Sequence, residues 1–217
     1  MKVGAICLFL PLMVQAKGVA GSIQPASTTP PLISTLLKPE VYKRVLENKE
    51  VMTHAVLEDS TRYSYYASMV VRASLGVTRK TLTDYDLYAK MIPYVDKSDY
   101  NPKTRVLDLV GGIWKFKVSS QVLFEEKGER WIHFTIIAGH FQGLQGDLIF
   151  ESLGEKGTLV YLHGEVTGTN WPPTLVIERG AEIIFGYTGK KMSAYIEEHK
   201  SGESHGDTQV PQPRRRF

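Results

Sequence analysis

The sequence contains a single cysteine among its 217 residues, and that cysteine, Cys7, lies in the first apolar stretch. Removal of that stretch leaves no cysteine, which excludes disulfide bonds and thiol catalysis in the remaining chain. A zinc site is not expected either, because the histidines are scattered. Neither a glycine-rich phosphate loop nor a serine nucleophile elbow is present. We therefore predict no metal site and no cofactor.

The chain also lacks a strong charge excess. Its 26 Lys and Arg residues against 23 Asp and Glu residues give a formal net charge of +3. Arg214, Arg215 and Arg216 near the C-terminus account for this excess, so the rest of the chain is near neutral. A nucleic-acid binder needs a basic face that displaces counterions. Nucleic acid is therefore not an expected partner.

Residues 1–16 have the pattern of an export signal. Lys2 supplies the positive end, and the apolar residues 3–14 are too few to anchor the chain across a bilayer. Val14 and Ala16 are small residues that suit a cleavage site, and a second site follows Ala20. We expect an exported protein, periplasmic or secreted. The alternative is an N-terminal helix that associates with a membrane.

Two polar segments flank the expected domain, which spans residues 40–200. Residues 17–39 are rich in Gly, Ser, Thr and Pro and are predicted to be a flexible linker. Pro39 and Glu40 suit the first turn of a helix at about residues 40–49. Residues 201–217 are predicted to be a disordered tail. Its arginines suit transient contact with a membrane surface, although a purely solubilising role is the simpler interpretation.

The central part of the chain shows short strands followed by one long helix. Residues 114–124 alternate between apolar and polar side chains, which is typical of a half-buried antiparallel strand. A hairpin loop is expected at residues 125–129. The spacing of the segments predicts one meandering antiparallel sheet. Strands are predicted at 63–73, 104–110, 114–124, 131–141, 146–151 and 158–167, a short helix at 75–82, and a long amphipathic helix at 173–199.

The long helix contains three glycines, Gly180, Gly186 and Gly189. Each lowers helix stability by about 1 kcal/mol relative to alanine. Two explanations account for these glycines. Either the helix needs them for close contact with a sheet or a ligand, or a well-packed helix tolerates the loss of stability. The sequence does not choose between these two explanations.

Five motifs between residues 50 and 200 have the order and spacing of one known superfamily. They are Val70-Val71-Arg72-Ala73, residues 82–85 with Met91-Ile92-Pro93, Gly139-His140-Phe141 with Gly146-Asp147-Leu148, residues 157–161, and the terminal helix. Together they resemble the START-like (SRPBCC) superfamily, in particular the group of polyketide cyclase/dehydrase and lipid transport proteins, which includes coenzyme Q-binding relatives. The resemblance implies an α+β helix-grip fold, in which a bent antiparallel sheet wraps around the long C-terminal helix and leaves an internal cavity.

Acid–base chemistry has few candidates. His163 and Glu165 are two residues apart on a predicted strand and therefore share one face with Tyr161. Inside a cavity this pair is suited to acid–base work. The same alternation equally places both side chains on the solvent face, which we favour. We therefore predict no catalytic residue, and name His163 and Glu165 as the candidates if the protein is an enzyme.

The expected function is that of a non-enzymatic carrier for a lipid-, isoprenoid- or polyketide-like molecule. Apolar cavities with few polar groups suit such ligands, and residues 84–93 and 170–172 are the expected gate. One alternative is a cyclase or dehydratase; another is an interaction module whose own side chains fill the cavity. The predicted cavity-lining residues are Tyr85, Tyr88, Trp114, Phe116, Phe134, Phe141, Ile177, Ile184 and Met192.

Overall fold

The computed structural model describes residues 29–48, 50–113, 116–155, 157–168 and 174–200. One eight-stranded sheet dominates this part of the chain. Its strands are β1 Met52–Asp59, β2 Arg62–Val71, β3 Val95–Asn101, β4 Val106–Ile113, β5 Phe116–Gly128, β6 Trp131–Gly139, β7 Gln145–Ser152 and β8 Thr158–Thr167. The helices are α1 Ile33–Leu36, α2 Pro39–Asn48, α3 Leu75–Thr83, α4 Tyr88–Met91 and α5 Thr174–His199, with a short 3-10 helix at Tyr85–Leu87.

The strands follow the order β1-β2-β8-β7-β6-β5-β4-β3. Every neighbouring pair is antiparallel, which confirms the predicted antiparallel sheet. Strands β3 to β8 form a meander, whereas β2 pairs with β8, so the connection from β2 to β3 crosses to the opposite edge of the sheet. In the part of the chain that is described, no helix is long and apolar enough to cross a membrane. The predicted export signal, the linker up to residue 28 and the tail from residue 201 lie outside the described residues.

Helix α5 packs on one face of the sheet, here called the inner face. It lies mainly along β1 and β2. Its buried Ile196 joins a core that includes Met69 and Val71 of β2, Val160 of β8 and Phe150 of β7. Because side chains alternate along a strand, these residues identify which positions of each strand face α5. The predicted long C-terminal helix on a single sheet is confirmed.

At one of the three helix glycines, α5 lies close to Val51 and to Met69 of β2. A Cβ atom at Gly189 would lie 2.8 Å from Val51 Cγ1 and 3.4 Å from Met69 Sδ. A Cβ atom at Gly180 or Gly186 would have no described neighbour within 4 Å. Close contact therefore explains Gly189, whereas Gly180 and Gly186 are tolerated without such a contact.

The opposite face, the outer face, is covered by α1 and α2. Ile33, Leu37 and Val45 are buried against Val70 and Leu159 of the sheet. The backbone N–H of Ile33 donates to Glu151 Oε2 at 3.1 Å, which caps the start of α1. The expectation that residues 17–39 form a linker is therefore wrong for residues 29–39. Their apolar side chains find a partner surface that lies more than a hundred residues away in sequence.

Three further elements differ from the sequence predictions. Strands β1 and β3 at the two edges of the sheet were not predicted. The ladder between β5 and β6 runs on to Gly128 and Trp131, so residues 125–128 belong to a strand rather than to the expected hairpin loop. The chain turns at Glu129 and Arg130 instead. Pairing across the ladder thus extends the strand into a segment whose charged composition favours a loop.

Candidate functional site

A row of directly paired residues crosses the middle of the inner face. Tyr65 on β2 pairs with Gly164 on β8, and Gly164 pairs with Gly146 on β7. The row continues to Phe134 on β6 and Phe124 on β5. The two glycines leave the centre of the row without side chains. Aromatic side chains therefore flank the two glycines, and the Tyr65 ring covers the backbone of Gly164.

On one side of the glycine pair, Tyr65 and α5 form a first aromatic wall. The Tyr65 ring leans over Gly164, since a Cβ atom at residue 164 would be 2.1 Å from the Tyr65 hydroxyl oxygen. The Phe185 ring stacks on Tyr65 with centroids 4.9 Å apart and planes at 9°. Tyr65 is buried, and burial raises the pKa of its phenol far above the usual range. This wall is thus aromatic and carries no charge at neutral pH.

The second wall is an aromatic cluster around Tyr85. The Tyr85 ring stacks on Phe124 with centroids 4.0 Å apart and planes at 12°. It also meets Tyr88 edge-on at 5.8 Å and Tyr100 at 4.7 Å. Phe124 in turn lies 6.5 Å from Phe134. Tyr85 is only 4 % exposed, so it anchors the 3-10 helix to the inner face.

The segment from Tyr85 to Tyr94 is held in place by phenol hydrogen bonds. The Tyr88 hydroxyl donates to the Leu82 carbonyl oxygen at 2.9 Å. The Tyr94 hydroxyl hydrogen-bonds the Thr188 hydroxyl, and it donates to the Ile184 carbonyl oxygen at 3.4 Å. Residues 88 and 94 therefore link the segment to α3 and to α5. A movement of this segment away from α5 requires the Tyr94 contacts to break.

Burial keeps the phenols of this region protonated. It raises the pKa of Tyr94 to about 12, with a further contribution from the nearby Tyr187. Burial also raises the pKa of Tyr88 and of Tyr85 well above the usual range. Neighbouring phenols and Glu126 add to the effect at Tyr85. These groups can donate hydrogen bonds, but none of them exchanges a proton near neutral pH.

The two acid–base candidates lie on the other side of the sheet. His163 and Glu165 alternate with the inner-face residues of β8, so they point to the outer face with Tyr161. Glu165 accepts from Gln145 Nε2 at 3.4 Å and lies 3.8 Å from Arg62 Nη1. The His163 ring is parallel to Tyr161 at 6.4 Å. His163 and Glu165 therefore do not face α5.

A polar cluster surrounds Asp147 on the outer face. Asp147 pairs with His163 on one side and with His133 on the other. Its Oδ1 accepts from Trp131 Nε1 at 2.7 Å and contacts His133 Nδ1 at 3.0 Å. Burial opposes ionisation of this carboxyl, but the hydrogen bonds and the charges of both histidines outweigh it and lower its pKa. Among the described residues, no three His, Asp, Glu or Cys side chains are placed to hold a metal ion.

The remaining predicted lining residues are scattered. Tyr85, Tyr88 and Phe134 lie in the second wall, and Met192 packs between the core and the Tyr85–Tyr94 segment. Phe141 is 61 % exposed in the turn after β6 and does not join the aromatic cluster. Ile184 is 42 % exposed. Trp114 and the side chains of Phe116 and Ile177 lie outside what the structure describes.

Sequence reasoning missed Tyr65, Tyr100 and the glycine pair Gly146 and Gly164. The alternation of side chains along β2 places Tyr63, Tyr65 and Met69 on one face, so the sequence alone could have identified Tyr65 as an inner-face residue. The glycines became informative only through the cross-strand register, which joins residues far apart in sequence. Their importance lies in the absence of a side chain, which a search for functional groups does not detect.

Comparisons with known proteins support the fold. No family model and no curated protein matches the chain. A START superfamily protein from Mycobacterium smegmatis is similar in structure, with a TM-score of 0.55, 17 % identity, and coverage of 67 % of this chain and 98 % of that chain. Zhui aromatase/cyclase from Streptomyces sp. R1128 gives a TM-score of 0.52 at 11 % identity, covering 67 % of this chain and 99 % of that one.

A third structural neighbour is StfQ, a di-domain aromatase/cyclase from the steffimycin biosynthetic pathway. It gives a TM-score of 0.52 at 12 % identity, and the match covers 66 % of this chain and 53 % of that chain. At these identities the likeness concerns the fold alone. The antiparallel sheet, the C-terminal helix on its inner face and these neighbours define a START-like (SRPBCC), helix-grip α+β fold.

Proposed function

We propose that the protein binds a hydrophobic small molecule between the inner face and α5, and carries it without transforming it. One observation supports a carrier most strongly. The inner-face positions of β2–β8 that are described include no histidine and no aspartate. Their single carboxylate, Glu126, lies 3.0 Å from the Arg79 guanidinium. The two aromatic walls offer apolar contact, and the described inner-face positions offer no free acid–base group.

The ligand class follows from the same surface. Each 100 Å² of apolar ligand area removed from water contributes about 2.5 kcal/mol. A lipid-, isoprenoid- or polyketide-like molecule therefore binds such a site without a strong polar anchor. The protonated phenol of Tyr65 adds a hydrogen-bond donor for a carbonyl or hydroxyl group on the ligand. A charged ligand would gain nothing to offset its desolvation.

Entry of the ligand requires a movable wall. The segment around Tyr94 is our candidate for this role. Its opening requires the phenol contacts with Thr188 and Ile184 to break, together with the packing of Met192 against the segment. The second gate expected from the sequence, at residues 170–172, lies outside the described residues. Export of the protein and transient contact of its arginine-rich tail with a membrane surface remain part of the proposal. Both rest on the sequence patterns at the two ends of the chain.

Native mass spectrometry of the protein purified from its own host tests the carrier proposal. We expect a fraction of the folded protein to carry a noncovalent adduct that organic extraction recovers as an apolar molecule. Wild-type protein stripped of the adduct should rebind the extracted molecule and release it unchanged. The proposal is overturned if no adduct is found and the stripped protein binds neither the host's extracted lipids nor a neutral apolar probe.

The second candidate is a cyclase or dehydratase. Two structural neighbours are aromatase/cyclases by name, and that likeness is the reason to keep it. Within this chain the candidate acid–base pair, His163 and Glu165, faces away from α5. Chemical change of the recovered ligand during incubation, abolished in His163→Ala while binding persists, would favour this enzyme over the carrier.

A further inference from the structure

A small pocket lies outside the inner-face site, between α5 and the open end of β2. Strand β1 begins opposite Ser68, so β2 continues past it without a partner on that side. The pocket has a volume of about 190 Å³, and Val51, Val70 and Ala194 supply its apolar lining. Next to it, the contact between Gly189 and Val51 holds the helix against the sheet.

The polar side of the pocket comes from one stripe of α5 and from Arg72. Lys190, Ser193 and Glu197 are spaced at three and four residues along the helix, so they line the same groove. The Glu197 carboxylate is fully engaged. It accepts from the Arg72 backbone N–H at 3.0 Å, from Arg72 Nε at 2.9 Å and from the Ser193 hydroxyl at 3.2 Å.

These contacts leave one charge of the pocket without compensation. Burial opposes ionisation of Glu197, but the Arg72 contacts outweigh it and lower its pKa, so it is an anion already matched by Arg72. Lys190 forms no hydrogen bond or ion pair with any described residue. The neighbouring Lys191 is directed elsewhere, with its Nζ 5.4 Å from the centroid of the Tyr187 ring. The pocket thus combines an apolar lining with one uncompensated positive charge.

We propose that this pocket is a second binding site, which takes a small anion with a short apolar group, such as a short-chain carboxylate or phosphate monoester. The anionic head would meet the Lys190 ammonium, and the apolar group would cover Val51, Val70 and Ala194. The volume admits only a short chain, since sites for drug-sized ligands are larger. A ligand here bridges α5 and the sheet edge, and it is chemically distinct from the uncharged ligand of the inner face.

Hexanoate and monohexyl phosphate are suitable probes, with hexanol as the neutral match. Titration of ¹⁵N-labelled protein followed by NMR should show saturable shifts of the Val51 and Ala194 amides. The dissociation constant should be about millimolar, as expected for so few ligand atoms. Lys190→Met should weaken binding about tenfold, because a charge-assisted contact is lost. Lys191→Met is the matched control and should bind as the wild type does.

A second variant tests the pocket without changing its charge. Ala194→Trp fills the space from an exposed helix position, so it should abolish the shifts while the circular dichroism spectrum stays unchanged. The proposal is overturned if neither anion shifts the Val51 and Ala194 amides, if hexanol shifts them at the same concentration, or if Lys190→Met and Lys191→Met behave alike. Shifts confined to Tyr65 and Phe134 would assign the probe to the inner face and also overturn it. The result is independent of the carrier proposal, whose ligand is neutral.

Discussion

The phenol ring of Tyr65 lies across the backbone of Gly164, on the neighbouring strand, so closely that residue 164 has no room for a side chain. A Cβ atom there would be 2.1 Å from the Tyr65 hydroxyl oxygen and 2.8 Å from the Gln145 carbonyl oxygen. The same ring is stacked against Phe185 of α5. A side chain at residue 164 would therefore disturb the contact that Tyr65 of β2 makes with the C-terminal helix.

Gly164→Ala should accordingly destabilise the protein. The methyl group forces the Tyr65 ring or the β7 backbone to move, and overpacking of this kind costs about 1–3 kcal/mol. Chemical denaturation measures the free energy of unfolding. Gly180→Ala on α5 is the control, because a Cβ atom there meets no described neighbour within 4 Å. That control should gain up to about 1 kcal/mol from helix propensity; equal effects of the two substitutions would contradict the packing argument.

The described N-terminal residues give a second prediction. Ile33, the first residue of α1, is 0 % exposed, whereas Leu36 on the same short helix is 40 % exposed. Ile33→Ala should lower the free energy of unfolding by about 2–4 kcal/mol, since it leaves a cavity on the outer face. Leu36→Ala should change it by about 0.5 kcal/mol or less. If Ile33→Ala is as mild as Leu36→Ala in a urea titration, then the segment behaves as the linker that its composition suggests.

That contrast shows what local sequence could and could not predict. Helix α5 was predicted because apolar residues recur at helical spacing over 26 residues, a signal that needs no knowledge of the partner. Helix α1 has four residues between prolines, and what holds Ile33 is Glu151 on β7. Such a partner cannot be read from the segment itself. The edge strand β3 was missed for a related reason, because Asp96, Lys97 and Asp99 make it look like a loop.

The candidate site likewise contains residues that the local sequence predicts and residues that it does not. Tyr85, Tyr88 and Phe134 were named on composition and the structure brings them together. Tyr65 and Gly164 were not named, because their relationship depends on the register between β2 and β8. Phe141 was named with equal reason, yet it lies exposed in a turn. Aromatic content predicts that a cluster exists, but the register decides its members.

Asp147 provides a prediction about pH. Its pKa is lowered in the folded protein, so the stabilising contribution of the carboxylate is complete above the unfolded pKa of about 4 and is lost as the pH falls through the folded value. Asp147→Asn should lower the free energy of unfolding at pH 7 by about 1 kcal/mol, and should reduce the loss of stability between about pH 5 and pH 3. Asp99→Asn is the control, since its pair with Lys97 is exposed and contributes little.

Denaturation curves at several pH values measure both variants against the wild type. The hydrogen bonds from Trp131 and His133 are the cause of the expected difference. If Asp147→Asn and Asp99→Asn follow the same pH profile, the polar cluster on the outer face does not contribute to stability in the way that its geometry indicates.

The carrier proposal is tested most directly at Phe134, the inner-face aromatic residue beside Gly146. Phe134→Glu places a carboxylate where an apolar ligand must lie, and a charge without a partner there carries a large desolvation cost. We expect binding of the neutral fluorescent probe N-phenyl-1-naphthylamine to weaken at least about tenfold. Ile137→Glu, at a position on the same strand that is 39 % exposed, is the control and should bind normally. Circular dichroism must show that both variants are folded, and Phe134→Ser serves as a milder substitution if the glutamate prevents folding. Wild-type affinity in a folded Phe134 variant would mean that the inner face is not the ligand site.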